Sequence, residues 1–239
     1  MLNALIFDVD GTLADTEAVH RRAFNLAFSE VGQDWTWDDE TYCRLLQISG
    51  GKERILHYWR EVQPEVVELN AYAIGESVDR MHALKTAAYE RLVQDGAVEL
   101  RPGVLHLIES ANSAGLRLAI ATTTTPLNIA TLLRKAIGPD WRSYFQVIED
   151  ASTAPVKKPH PQVYLQTLSR MQIHPRECLA FEDSFNGLHS ATSAGLKTLI
   201  TPTRYTEGQD FSCALRILPS LAGINVCELR EWHQMPTQL

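Results

Sequence analysis

Five short, largely apolar runs constrain this chain more than anything else in it: residues 4–7, 116–121, 146–148, 178–181 and 197–200. They read as strands covered on both faces, the environment of a parallel sheet. Helical stretches separate the later runs, as crossover connections demand. Pro102 stands where a helix would begin and Gly115 where it would stop, just ahead of the second run. The stretch from Gly187 to Gly195 offers a similar helix leading into the last run.

One interval breaks this rhythm. Between the first run and Arg101, about ninety residues carry no convincing strand. After Thr16, a plausible cap, Val19, Ala23, Phe24, Ala27, Phe28 and Val31 recur at helical spacing. Further helices are predicted after Asp38, after Gly50 and Gly51, and, as one long element, after Pro64. The expected fold class is therefore α/β: a Rossmann-like doubly wound parallel sheet core with an inserted α-helical cap domain. The core is expected over residues 1–14 and 88–239 and the cap over residues 15–87. Open α/β sheets bind ligands at the carboxyl ends of their strands, and a lid inserted after the first strand would cover that site.

Composition removes several classes of function. A net charge of -7, with no basic block, argues against nucleic acid as a partner, because backbone phosphates are bound by clustered Lys and Arg. No apolar run approaches the roughly 20 residues that span a bilayer, and the N-terminus lacks the basic stretch of a signal peptide, so no membrane partner is expected. Cys43, Cys178, Cys213 and Cys227 are scattered without metal-ligand spacing and read as free thiols of the cytoplasm. His57, His106, His174 and His189 have no metal-ligand spacing either, and Trp35, Trp37, Trp59 and Trp141 read as packing aromatics.

The candidate chemistry lies at the ends of the predicted strands. Asp8 closes the first run, Asp10 follows two residues on, and Gly11 permits a sharp bend between strand and lid. A carboxylate so placed can attack phosphorus, and a second acid nearby can protonate the leaving oxygen. Asp and Gly are also common in ordinary turns, so the pair gains weight from its companions. Glu182 and Asp183 follow the fourth run and, with Asp8 and the backbone carbonyl of Asp10, form an oxygen-rich set suited to Mg²⁺. Thr122 ends the second run ahead of Thr123, Thr124, Thr125 and Pro126, a setting for phosphate oxygens, though also that of a plain helix cap. Lys157 and Lys158 precede Pro159, and either could neutralise charge on a phosphoryl group.

Acid pair, hydroxyl, lysine, acid pair, each at a separate strand end, is the order in which the sequence resembles the haloacid-dehalogenase-like hydrolase superfamily. The four motifs match at residues 8–12, at Thr122, at Lys158 and at Glu182 with Asp183, across nearly the whole chain. The resemblance implies Asp8 as nucleophile and metal ligand, Asp10 as general acid and base, Asp183 as a Mg²⁺ ligand, and Lys158 rather than Lys157 as the family lysine. Where the family often carries Asp after Pro-x-Pro, this chain has Gln162, a departure expected to touch loop geometry more than chemistry.

Within the cap, residues 15–17, 20–25, 35–37, 42, 50–55 and 82–86 resemble CbbY-type proteins. That likeness implies a phosphatase for xylulose 1,5-bisphosphate, an inhibitory by-product of Rubisco and the Calvin cycle. Lys52, Arg54 and Lys85 would hold the distal phosphate, with Gly51 exposing an N–H to it. Glu17 and Tyr42 would contact the sugar. His82, Thr123 and Asn128 are further candidate substrate contacts, and His20 a supporting residue near the catalytic loop. The expected partner is a small phosphorylated sugar and the expected state a monomer. A phosphosugar mutase of the β-phosphoglucomutase type shares the motifs and is the main alternative. A non-catalytic phosphosugar-binding protein would be expected to have lost one of the acids, and a dehalogenase would not need Asp10 or a metal.

Overall fold

The computed structural model describes residues 1–235, apart from the side chains of residues 67–69 and 71. Its described residues form one sheet of six strands: β1 (Ala4–Phe7), β2 (Arg117–Ala121), β3 (Val147–Glu149), β4 (Cys178–Glu182), β5 (Lys197–Ile200) and β6 (Arg216–Ile217). The spatial order is β3-β2-β1-β4-β5-β6, and every neighbouring pair is parallel. The five expected strands are present, with ends displaced by one residue at most. The sixth, β6, was not expected: two residues, one of them Arg216, carry no readable pattern, and the strand exists because β5 offers it an edge.

The chain divides into two compact units, one comprising Met1–Thr16 with the chain from Val98 onward, the other Glu17–Ala97. This division lies ten residues beyond the expected return to the core at residue 88, which falls inside a helix that runs to Gln94.

The second unit is wholly helical: α1 (Glu17–Glu30), α2 (Asp39–Leu45), α3 (Gly51–Val62), α4 (Pro64–Leu69) and α5 (Ala71–Gln94). The long helix expected after Pro64 is in fact two, because Asn70 (φ -129, ψ 36) leaves the helical region between them. The helix expected after Asp38 is α2, and Asp38 caps it, its carboxylate accepting from the Thr41 N–H at 2.8 Å. Helix α1 buries Val19, Ala23, Phe24, Ala27 and Phe28 and packs chiefly against α5. Trp35, Trp37 and Trp59 join Phe24, Phe28, Tyr42 and Tyr58 in an aromatic core, with Phe24 and Trp37 ring centroids 4.7 Å apart. The Asn25 carboxamide fixes this core by accepting from the Trp37 N–H and donating to the Trp37 carbonyl.

In the first unit the sheet is flanked by α6 (Val104–Ser113), α7 (Pro126–Ala136), α8 (Gln162–Met171), α9 (Phe185–Ser193) and α10 (Val226–Gln234). Alternation along the strands puts Ala4, Ile6, Ala119, Ala121, Cys178 and Ala180 in one apolar cluster with Val163, Tyr164, Leu168 and Met171 of α8. Four of those six strand residues are alanines, which lets the helix approach the strands closely enough for Tyr164 to matter below. Phe7 and Phe181, paired in register, stack at 4.6 Å between ring centroids. All four cysteines are free thiols. Among the described residues no helix is long and apolar enough to cross a membrane.

Candidate active site

The register of three strands assembles the site. Phe7 of β1 pairs with Ile120 of β2 on one side and Phe181 of β4 on the other. One residue further along, Asp8, Ala121 and Glu182 therefore lie at the same level. The ammonium of Lys158 reaches that level and bonds all three: Asp8 Oδ1 at 2.6 Å, Glu182 Oε1 at 2.6 Å and the Ala121 carbonyl at 2.9 Å. Each of its N–H bonds has an acceptor, so the charge is held without rotational freedom. Of the two adjacent lysines, it is Lys158 that reaches Asp8. Gln162 shapes the same loop, its carboxamide oxygen accepting from the Val156 N–H at 2.7 Å.

Asp8, Lys158, Glu182 and Asp183 are all buried. Burial is the largest influence on Asp8 and pushes its carboxyl up from 3.8 to about 7; Lys158 pulls it down and Glu182 adds to the rise. Burial alone would lower the Lys158 ammonium, but Asp8 and Glu182 together override it and hold its pKa above the ordinary value. Tyr164, from α8, donates its hydroxyl to Glu182 Oε1 at 2.5 Å. Burial first, and the charge of Glu182 second, raise that phenol well above its usual pKa, so it stays a donor.

Among the described residues, Asp8, Glu182 and Asp183 each place a carboxylate oxygen within 4.8 Å of the others. Three buried hard oxygen donors so close together fit a small divalent cation. Close packing explains two glycines beside them. A Cβ on Gly11, whose φ of 79 already favours glycine, would come within 2.1 Å of Asp183 Oδ2, and one on Gly187 within 1.9 Å of Glu182 Oε2.

Asp10 differs from Asp8 in being half-buried, and its Oδ1 accepts from the Thr16 hydroxyl at 2.7 Å. Thr16, the residue expected to cap the first helix, thus orients the second acid. Thr122 is buried, and its Oγ1 accepts from the Thr124 N–H at 3.4 Å. Thr123 lies half-buried in the same turn, and Thr125 caps α7 by accepting from the Asn128 N–H. The Asn128 side chain is buried and donates to Thr124 Oγ1 at 3.1 Å.

The candidate residues of the helical unit form separate groups. Tyr42 donates to Glu17 Oε2 at 2.6 Å, and Arg54 donates to the Tyr42 hydroxyl at 3.3 Å and to the Leu45 and Ile48 carbonyls. Lys85, buried, contacts His20 Nδ1 at 2.8 Å, and His20 stacks on Tyr89. Gly51 opens α3 against His82, where a Cβ would meet Nε2 at 2.6 Å. Lys52 joins none of these groups: it is exposed and ion-paired with Asp79 at 2.7 Å.

Two residues escaped the sequence reading. Tyr164 is one, hidden because an aromatic on an amphipathic helix reads as core. Arg101 is the other. Its guanidinium donates to the carbonyls of Gly11, Thr201 and Pro202 and to the Thr201 hydroxyl, tying the loop after β1 to the segment after β5. A charged residue directly before Pro102, at the return from the insertion, was the available signal.

Comparison with known proteins agrees with this geometry. The family model for haloacid dehalogenase-like hydrolases matches residues 2–195. The protein CbbY of Cupriavidus necator, encoded on a plasmid, is 52% identical over 92% of this chain and 86% of its own length. A crystal structure of CbbY from Rhodobacter sphaeroides in complex with phosphate matches with a TM-score of 0.87 at 39% identity, covering 96% of this chain and 100% of that one. A mutant of the same protein in complex with xylulose-(1,5)bisphosphate matches with a TM-score of 0.88, again at 39% identity, covering 96% and 99%. The chain therefore belongs to the haloacid dehalogenase-like hydrolases, among the CbbY proteins, and is a phosphatase.

Proposed function

We propose that this phosphatase hydrolyses a small sugar bisphosphate, xylulose 1,5-bisphosphate, through an aspartyl-phosphate on Asp8, and so removes an inhibitory by-product of the Calvin cycle. The observation that carries the reaction class is the Lys158 ammonium held between Asp8 and Glu182 at the strand ends. The support for the substrate is the bound xylulose-(1,5)bisphosphate of the similar CbbY structure. Asp8 attacks phosphorus, forming one O–P bond as the bond to the sugar oxygen breaks, and Asp10 delivers a proton to that oxygen. Water then attacks the phosphoaspartate, Asp10 takes its proton, and phosphate leaves with Asp8 restored. The two acids suit these different roles because Asp8 is buried against a cation whereas Asp10 is half-buried and held by a hydroxyl. Lys158 and the Thr122 hydroxyl hold the phosphoryl oxygens as charge develops.

Mg²⁺ fits the buried oxygen donors: Asp8, Glu182 and Asp183 would hold it, joined by the Asp10 carbonyl. When bound, it would supply positive charge that keeps Asp8 ionised and neutralises phosphoryl oxygens. Recognition of the rest of the sugar is assigned to Glu17, Tyr42, Gly51, Lys52, Arg54, His82 and Lys85 of the helical unit, the part of the chain whose residues resemble CbbY proteins. Thr123 and Asn128 make further substrate contacts. The protein is read as a cytoplasmic monomer with no nucleic-acid or membrane partner, and a net charge of -7 without a basic block supports the part that concerns nucleic acid.

The test is phosphate release in the presence of Mg²⁺ from xylulose 1,5-bisphosphate, ribulose 1,5-bisphosphate, β-glucose 1-phosphate and phosphoglycolate. Strong preference for the first is expected. Conversion of β-glucose 1-phosphate to the 6-phosphate with little phosphate release would make the protein a mutase and overturn the substrate reading.

A further inference from the structure

The geometry points to Tyr164 as a positioning residue for catalysis, one that sets the Lys158 ammonium through Glu182. Tyr164 is fully buried and its hydroxyl has one proton to give, which goes to Glu182 Oε1 at 2.5 Å. That same oxygen accepts from Lys158 at 2.6 Å, and Lys158 in turn bonds Asp8 at 2.6 Å. The Tyr164 ring also lies under the ammonium, 5.2 Å from Nζ to the ring centroid. On its other side Glu182 lies close against α9, where its Oε2 occupies the space that a Cβ on Gly187 would need. The bond that holds Glu182 from outside the acid–lysine pair is the one from Tyr164.

This matters because the ammonium is shared between two carboxylates. With Tyr164 satisfying part of Glu182 Oε1, Lys158 can stay equally close to Asp8. Without the phenol, Glu182 has only Lys158 at that oxygen and draws the ammonium toward itself, away from the point where phosphoryl charge develops. Displacements on the order of 1 Å at a reacting centre cost up to about a hundredfold in rate. Tyr164 does not reach the reacting atoms, so its effect belongs to the chemical step and not to substrate binding.

The proposal rests on the phosphatase site as assigned and not on the identity of the sugar, so an aryl phosphate serves as substrate. Tyr164→Phe keeps the ring and the packing. Its kcat should fall about tenfold while KM stays within about twofold. In a Glu182→Gln background the same substitution should cost little more, because the two residues act as one unit. A Tyr164→Phe protein with parental kcat and only a lower Tm would make the tyrosine a packing residue and overturn the proposal. Losses that multiply independently with Glu182→Gln would overturn the route through Glu182. Lys158→Met separates the levels: if that variant keeps full activity, the site assignment itself fails, whereas its inactivation beside an unaffected Tyr164→Phe removes only the tyrosine.

Discussion

The two units of this molecule build their polar clusters by different means. In the first, Asp8, Ala121 and Glu182 come to one level because three strands are in register, and Lys158 reaches that level from the loop ahead of α8. Opposite charges face each other there, buried and bonded. In the helical unit, Lys85 is equally buried but is held at the His20 ring nitrogen, with its ammonium 5.0 Å from the Phe24 ring centroid and 5.2 Å from that of Tyr89. Helices packed on an aromatic core have no ladder to enforce register, so each polar group settles where local side chains accept it. A sheet edge suits chemistry that must be the same for every substrate. A helical insertion can vary its contacts without disturbing that chemistry.

The largest effect that could break this contrast is loss of Asp8, the proposed nucleophile. Asp8→Asn should lower kcat by at least about 10⁴-fold with the fold retained, and Asp10→Asn nearly as much. Single-turnover phosphate release together with circular dichroism checks both, and substantial turnover by the Asp8→Asn protein would remove the sheet edge as reaction centre.

Next comes the brace that holds the catalytic loop. Arg101→Gln should cost about tenfold in kcat and roughly 2 kcal/mol of stability, since several carbonyls lose a charged donor. Arg101→Lys should recover only part of either, because an ammonium cannot span the same acceptors. Full activity in Arg101→Gln would show that the loop is positioned by Gly11 and Asp183 alone.

The third effect is a pH dependence. Metal-free and folded, Asp8 titrates near 7, against 3.8 when unfolded. Between those values the folded chain holds the extra proton, so the stability Asp8 contributes is fully present below pH 3.8 and is lost as pH rises through about 7. Asp8→Asn removes this dependence. The stability of that variant relative to the parent should rise between pH 4 and pH 8 by up to ~4 kcal/mol. Denaturant melts in chelator at both values measure it, and an unchanged difference would place Asp8 at its ordinary pKa.

The smallest effect tests the helical unit. Lys52 lies in an exposed ion pair, so Lys52→Ala should change stability by less than about 0.5 kcal/mol. If Lys52 holds the distal phosphate, KM for a bisphosphate should rise severalfold while an aryl phosphate is turned over as before. Equal changes for both substrates would take Lys52 out of that role and leave Arg54 and Lys85 as the candidates.

Residues 4–7 and 197–200 could be read from the chain as strands without adjustment, because a run buried on both faces needs apolar side chains whatever its neighbours are. The acids at strand ends and the helical nature of the insertion were equally legible, since both are local patterns. Which of Lys157 and Lys158 turns inward was not, because adjacent residues differ only in direction, and direction follows from how the loop through Val156 and Gln162 packs. Nor could local pattern show that Tyr164 reaches Glu182, that Arg101 ties Gly11 to Thr201, or that β6 exists at all. Those features depend on residues 17 to 100 positions apart in the chain. Side-chain periodicity records which face is buried; only the packed structure decides what that face meets.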